Sequence, residues 1–376
     1  MLRIYLLLIL NPYLCIMKKE MDLYTDYLLS SFGQITATGL SSLLDGMLSH
    51  DKITRMLSVS AHDSKALWHE VKPMVRAHEN DDACLIFDDT IVSKPYTDEN
   101  DMICWHWDHS KNRNEKGINL LTAFYHTQSI ASSDALRIPV SFECVKKTVH
   151  FIDPKTGKEK RKSPVTKNEM MRLMLQNAVE NQHLKFRYVL ADSWFSSSDN
   201  MLFIDRLKKH FVMDIKSNRL CMLATQDRNE GRWTNLDKLS LQPKQPVKVW
   251  IKDLEIPVLL CRFVFTNKDG STGEMYLVSN DLDLSVEPFQ SIYKKRWGVE
   301  EYHKSLKQNA SIAKSPTRTV ATQTTHLFAS LLAYVKFEKL KFAHKMNHFA
   351  LKAKLYREAL KMAWGQLEKF KNYQIA

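Results

Sequence analysis

The stretch Ile292–Gln308, IYKKRWGVEEYHKSLKQ, concentrates side chains able to act on a phosphodiester. At about 100° per residue, Tyr293, Arg296, Glu300 and Lys307 fall within an arc of about 60° on one face of a helix. Ile292, Val299, Tyr302 and Leu306 take the opposite side. Such a helix docks its apolar side on a core and turns two cations and a carboxylate toward a ligand. Lysine and arginine suit phosphate oxygens, and a carboxylate beside them suits a metal ion. Arg296 with Glu300, and Glu300 with Lys304, are also i,i+4 pairs of the kind found on any solvated helix, so this segment alone does not decide its chemistry.

Two aspartates upstream change the balance. Asp88 and Asp192 each follow a short apolar run expected to be a buried strand, Ala83–Phe87 and Phe186–Ala191. Open α/β sheets place ligand-binding groups at such strand ends, although single aspartates there also serve as helix caps or turn residues. Three carboxylates spaced about a hundred residues apart meet only through the fold. Where they meet, mutual repulsion demands cations, most simply two Mg²⁺ ions.

The elements that must position these groups follow from patterning. The chain has 376 residues, 44% apolar and 26% charged, with 10 glycines and 11 prolines, which excludes a disordered or collagen-like protein and predicts two or three domains. Residues 21–80 read as helices: Leu40, Leu43, Leu44 and Met47, then Ile53, Met56 and Leu57, recur at helical spacing. Asp45 and Gly46 precede an N-cap at Ser49, and the following helix would present His50, Lys52, Thr54 and Arg55. DNA-reading helix-turn-helix units and ordinary helix pairs share this form. From residue 81 the pattern is strands at Ala83–Phe87, Ile118–Tyr125 and Arg137–Val145. A Lys-rich stretch over 153–167 reads as an exposed connector unless DNA passes beside it. A helix over 168–182, the strand to Ala191 and a helix over 200–210 follow. Val247–Ile251, Ile256–Phe265 and Glu274–Ser279, with a turn at Asn267, Asp269 and Gly270, predict a β subdomain inserted into the main fold. After Pro288 the chain is helical.

The formal net charge is +12, and residues 291–376, with 17 basic and 5 acidic side chains, carry all of it. A polyanionic partner and a solvated Lys-rich tail both account for that excess. The six cysteines form no CxxC pair, which argues against a disulfide framework or a zinc ribbon and fits a reducing cytoplasm. Cys104, His106 and His109 lack a fourth ligand in any standard zinc spacing. Tyr302 beside His303 lacks the partners of a tyrosine recombinase, and Ser193 lacks a nucleophile elbow. Met1–Ile16 is apolar but broken by Asn11, Pro12 and Tyr13, too short for a bilayer and without a clear cleavage site; Met17 and Met21 are alternative starts.

The spacing Tyr293, Arg296, Glu300, Lys307, with Trp297, Glu301, His303 and Lys304 around it, resembles the YREK signature of bacterial insertion-sequence DDE transposases of the type-four group. Asp88, Asp89 and Thr90, and Asp192 in LADSWFS, resemble the segments bearing that family's two catalytic aspartates. The resemblance covers about residues 81–320. It implies an α/β fold with an RNase H-like (retroviral integrase-type) catalytic core, an inserted β subdomain and helical N- and C-terminal regions. The expected division is 1–20 an extension assigned no function, 21–80 helical with DNA binding as its candidate role, 81–200 with 281–320 the catalytic core, 201–280 the β insertion, and 321–376 a basic helical region. It implies Mg²⁺-dependent nicking of transposon ends and attack of the freed 3′-OH on target DNA, by two Mg²⁺ ions for which Mn²⁺ substitutes. Asp88, Asp192 and Glu300 would hold the metals, and Asp88 is preferred to Asp89 because the family's acid stands two places before Thr. Tyr293, Arg296 and Lys307, flanked by Trp297, His303 and Lys304, would grip terminal phosphates. Trp233 and Trp250 are candidates for stacking a flipped base, without the hairpin step being assigned. The partners implied are double-stranded DNA, as terminal inverted repeats and target, and a second copy of the chain on that DNA; the setting is the bacterial cytoplasm and nucleoid, with no membrane. A catalytically inactive or domesticated DNA-binding relative and a hydrolysis-only metal-dependent nuclease are the alternatives.

Overall fold

The computed structural model describes residues 19–59, 62–128, 135–225, 228–267 and 269–371. Nearly all of the N-terminal extension therefore lies outside the described residues. Helix α1 covers residues 19–30 and is followed by α2 (Ala37–Leu43), α3 (His50–Ser58) and α4 (Ser64–Arg76). Strands β1 (Cys84–Ser93), β2 (Cys104–Asp108), β3 (Arg113–Gln128), β4 (Ala135–Cys144), β5 (Val149–Ile152) and β6 (Glu159–Lys162) come next. Then α5 (Lys167–Glu180), β7 (Tyr188–Ala191), α6 (Ser198–Arg206) and β8 (His210–Asp214) alternate. Strands β9 (Leu220–Leu223), β10 (Thr234–Asn235), β11 (Val247–Ile251), β12 (Val258–Thr266) and β13 (Thr272–Ser279) precede α7 (Val286–Lys294), α8 (Trp297–Gln308), α9 (Val320–His344) and α10 (His348–Lys371).

The chain divides into two compact units, one of residues 71–90 and 120–301, the other of residues 1–70, 91–119 and 302–376. The first is built on a mixed sheet in the order β10-β9-β11-β12-β13-β8-β7-β1-β3, with β4 also paired to β3. Strands β1, β7 and β8 are mutually parallel. Parallel neighbours need crossover connections, supplied by α5 and α6. Their apolar faces, Met171, Met174, Leu175 and Ala178 on α5 and Met201 and Ile204 on α6, are buried. The start of α5 is set by a capping box between Thr166 and Glu169, and that of α6 by the Ser197 hydroxyl accepting from the Asn200 amide. All four residues of β7 and the first four of β1 are buried, as strands covered on both faces must be.

Strands β9 to β13, expected as an inserted subdomain, continue this same sheet. β13 pairs antiparallel with β8, and β12, β11, β9 and β10 extend outward from it. The turn between β12 and β13 closes through the Asn267 amide bonding to the Ser271 carbonyl, with Gly270 at φ +82°. The Lys-rich connector also contains structure unanticipated from its composition: β5 and β6 form an antiparallel hairpin separate from the main sheet.

The second unit is mainly helical. In the helix pair α2 and α3, Asp45 and Gly46 take positive φ, and Ser49 caps α3 by accepting from the Lys52 amide. Ile53, Met56 and Leu57 of α3 are buried, leaving His50, Lys52, Thr54 and Arg55 exposed, with Lys52 bonded to Glu20 at 2.7 Å. Helix α9 buries residues around its whole circumference, as the middle of a helical core does. Buried polar contacts tie the unit together. Lys94 donates to the carbonyls of Ala313 and Ser315 at 3.2 and 2.8 Å, and burial pushes its amine down to about 8. Ser305 on α8 lies 3.0 Å from His348 Nδ1, whose Nε2 is 3.0 Å from Glu338. The order serine, histidine, acid imitates a hydrolase triad, but all three residues are buried at 2–6% exposure, which denies a substrate access and makes the network a tether for the second half of α8.

Candidate active site

Three short segments repeat one pattern, three apolar residues followed by aspartate: Leu85-Ile86-Phe87-Asp88, Val189-Leu190-Ala191-Asp192 and Phe211-Val212-Met213-Asp214. The parallel registers pair Ile86 with Leu190, and Leu190 with Val212. Two residues on, Asp88, Asp192 and Asp214 therefore stand in one row across adjacent strands, and in-register residues of neighbouring parallel strands lie on the same face. The first two aspartates were anticipated from the sequence. Asp214 was missed, because its strand of five residues was read as part of the insertion.

Asp88 differs from expectation in one respect: it lies inside β1 rather than beyond it. Pairing with β7 ends near Ile86, but the other edge of β1 remains held by β3, so the strand runs on to Ser93. Asp89 points to the other side of the pleat and bonds to Lys167 at 2.7 Å. Lys167 also lies 4.7 Å from the ring of Trp194, two residues after Asp192. Asp192 accepts from the Trp194 amide at 3.0 Å, which orients its carboxylate.

The segment that carries Glu300 is two helices rather than one. The amides of Lys295, Arg296, Gly298 and Val299 bond to carbonyls three residues back, so the chain tightens between α7 and α8. A turn of that kind advances about 120° per residue, which breaks the shared arc. Tyr293 is consequently turned inward at 5% exposure, whereas Glu300 keeps 53% of its side chain exposed. Ile292, Val299, Tyr302 and Leu306 are buried, as their apolar character predicts. Arg137 lies over Gly298 and forms an ion pair with Glu301, holding the start of α8. Trp297 is 62% exposed, and Lys304 and Lys307 are exposed. His303, three residues beyond Glu300 in the same helix, is buried.

Carboxylate oxygens of Asp88 and Glu300 come within 4.8 Å of each other. Asp192 joins them through its place beside Asp88 in the row rather than by falling within that distance. Arg296 reaches in with 13% of its side chain exposed, its Nη1 at 3.6 Å from Glu300 and 4.0 Å from Asp88. Its guanidinium also lies 5.6 Å from the Tyr293 ring and 5.8 Å from that of Trp297. Its buried Nε has no hydrogen-bond partner among the described residues, a donor left for an incoming acceptor such as a phosphate oxygen.

The electrostatics follow from this crowding. Burial, then the charges of Asp192, Asp89 and Glu300, hold the Asp88 carboxyl well above its ordinary range, against the opposing pull of Arg296. Burial and Asp192 push Asp214 up to about 6, again with Arg296 opposing. Burial weighs against the charged form of Arg296, yet Tyr293, Asp88, Glu300 and Asp192 around it keep its proton bound more tightly than usual. A cluster of hard oxygen donors whose own repulsion resists ionisation fits a divalent cation such as Mg²⁺. Cys104 and His106 are buried with Sγ and Nε2 3.3 Å apart, and His109 is exposed; among the described residues they form no three-ligand group. Trp233 and Trp250 are half-buried, the latter under Arg228 at 5.1 Å.

A mixed sheet with carboxylates aligned across its parallel strands, faced by a helix-borne glutamate and arginine, defines an α/β protein with an acid-lined site whose oxygen donors suit a divalent cation. Residues 79–336, well over half of the chain, match the transposase DDE domain, and the protein belongs to that family. Divalent metal use follows from the family and fits the donor set. No curated protein matches the sequence. Among solved structures, the Drosophila P element transposase strand transfer complex is similar at 9% identity over 92% of this chain and 86% of that one, with a TM-score of 0.26, too low to carry a correspondence between elements. No described helix is long and apolar enough to cross a membrane.

Metal binding should be visible without any reaction. With folded-state values of Asp88 and Asp214 raised, the folded chain holds protons that the unfolded chain has lost above about pH 4, so metal-free stability falls as pH rises through about 6 for Asp214, and Asp88, held well above its ordinary range, adds to the fall. At pH 7.5 the part due to Asp214 is fully present. Millimolar Mg²⁺ is expected to offset it, by about 2.7 kcal/mol at a hundredfold excess over Kd, raising the thermal midpoint by several degrees. Asp192→Asn should remove most of that increment, and at pH 5 it should be small. A midpoint indifferent to Mg²⁺ at both pH values would exclude cation binding here.

Proposed function

We propose that the protein is a DNA transposase of an insertion sequence that nicks transposon ends and transfers the freed strand into target DNA. The observation that carries this reading is the row Asp88–Asp192, completed by Glu300 and backed by a buried Arg296 with a spare donor. Asp88, Asp192 and Glu300 would hold two Mg²⁺ ions, for which Mn²⁺ would substitute. Bound there, the ions would supply Lewis-acid stabilisation of the attacking and leaving oxygens.

The chain's own residues do the rest. Arg296, oriented by Tyr293 and by the two acids, offers its Nε to a phosphate oxygen. Its charge is fixed at any accessible pH, so it stabilises the extra negative charge of the transition state without a proton movement. Lys167 neutralises Asp89 and so keeps that carboxylate out of competition with Asp88. Exposed Lys304 and Lys307 on α8, with Trp297, suit contacts to the DNA backbone, whereas the buried His303 suits a supporting position in the helix. The strand order β4-β3-β1-β7-β8 supports the RNase H-like reading of the core, and a dimer assembled on DNA is part of the same reading because two ends are joined in concert.

Incubating the purified protein with Mg²⁺ and a supercoiled donor carrying the element's labelled ends tests this. Joined products are expected. Binding without cleavage would replace the reading by an inactive DNA-binding relative, and nicks that are never joined by a hydrolytic nuclease. Lys307→Ala should leave cleavage at saturating protein intact and weaken end binding, with a salt dependence shallower by about 0.9 in log–log slope for the one lost phosphate contact. An unchanged slope would remove Lys307 from the DNA contacts.

A further inference from the structure

The β5–β6 hairpin is a second charged feature, distinct from the acid row. Residues 146–162 hold seven basic side chains and two acidic ones. Both acids are already matched, Asp153 by Lys160 and Glu159 by His150 at 2.7 Å. Lys146, Lys155, Lys158 and Lys162 remain exposed, and Lys155 and Lys158 form no ion pair among the described residues. The register pairs Val149 with Lys162 and Phe151 with Lys160, so one face of the ribbon carries Lys160 and Lys162 over two apolar residues, with the Lys162 amine 5.5 Å from the Phe151 ring. An isolated two-stranded hairpin is at best marginally stable in water, and this one gains no main-sheet partner. Its persistence as a strongly cationic ribbon calls for a polyanion to lie against.

Its root says where. Lys167 stands five residues beyond Lys162, a span of at most about 18 Å, and it bonds to Asp89, the neighbour of Asp88, while covering Trp194, two residues after Asp192. The capping box of Thr166 and Glu169 fixes that root as the first turn of α5. Four residues of strand add about 13 Å, so Lys158, Lys160 and Lys162 lie within about 31 Å of Lys167 along the backbone, less than one helical turn of B-DNA, about 34 Å. A major groove admits a two-stranded β-ribbon, and phosphates line its rims.

We propose that residues 146–162 form a DNA-binding arm whose lysines grip the phosphates of the duplex within one turn of the bond that is cut. This rests on the transposase reading above. The contacts are to backbone, so the arm adds affinity and orientation without base specificity.

The test compares the full chain with a variant carrying Lys146→Ala, Lys155→Ala, Lys158→Ala and Lys162→Ala, titrated by fluorescence anisotropy into a 40-base-pair duplex of arbitrary sequence (about four helical turns) at several salt concentrations. The four positions are exposed, and thermal melting establishes that the variant folds. The expected result is a log Kd against log salt slope shallower by roughly 2–4, at about 0.9 per lost phosphate contact, with the matching Lys→Arg variant binding as the parent does. A parent that binds duplex with a slope the Ala variant reproduces would overturn the arm and leave the transposase reading standing. A parent that binds no duplex at any salt would overturn both.

Discussion

Asp88→Asn, Asp192→Asn and Glu300→Gln should each slow strand cleavage on the order of 10³-fold or more while leaving duplex binding within a few-fold of the parent. The size follows from what the substitutions remove. Each takes one anionic oxygen donor from a cation site, and neutral amides of the same shape bind Mg²⁺ poorly. On the proposed reading, binding to DNA should survive because the lysines and Arg296 would carry it. The same substitutions should affect stability in the opposite direction. Ionised Asp88 is crowded by Asp192, Asp89 and Glu300 and largely buried, so an uncharged isostere relieves repulsion, and metal-free Asp88→Asn should melt above the parent at pH 7.5. A gain in stability joined to a loss of turnover marks a site arranged for its ligand rather than for the fold. Single-turnover cleavage with calorimetry on the same preparations checks both; an Asp88→Asn protein that cuts within tenfold of the parent would remove Asp88 from the reaction.

Arg296→Ala carries the second large effect, with the sign reversed. The guanidinium lies 3.6 Å from Glu300 and 4.0 Å from Asp88 and is mostly buried beside them. Deleting it removes a positive charge from beside the buried Asp88, a loss of up to roughly 3–5 kcal/mol for one partner of a buried ionic group. Chemical denaturation in EDTA should show that loss, and Mg²⁺ should recover a part of it by supplying the missing charge. Arg296→Lys should restore much of the stability and little of the cleavage, because an ammonium lacks the planar fork that presents Nε to a phosphate. An Arg296→Ala protein as stable as the parent in EDTA would mean that the acids do not depend on this charge.

Local pattern carried much of the architecture. Apolar runs placed the cores of β1, β3, β4, β7 and β11–β13, and the Ser49 cap and the Asp45–Gly46 turn placed α3, because caps and turns are short-range chemistry among neighbouring residues. The same holds for the pairing of apolar and polar sides on α8. Where the outcome depended on pairing with distant strands, local reading fell short. Whether β1 stops at Asp88 depends on β3 on its far edge, and whether β9–β13 stand apart depends on β13 finding β8.

The amino-acid order by itself determined which chemistry was available: three acids, an arginine and a lysine in a spacing suited to phosphodiesters, and a basic excess suited to a polyanion. It even spelled the three-apolar-then-aspartate pattern at Asp88, Asp192 and Asp214, although nothing in one segment reveals that the other two are its neighbours. Only the tertiary structure decided that these aspartates share a row, that a tightened turn sends Tyr293 inward and Glu300 outward, and that Asp89 is claimed by Lys167. The physical reason is range: helix caps and periodicity act over a few residues, whereas repulsion between carboxylates, and the cation that relieves it, exist only once parallel strands bring groups a hundred residues apart into register.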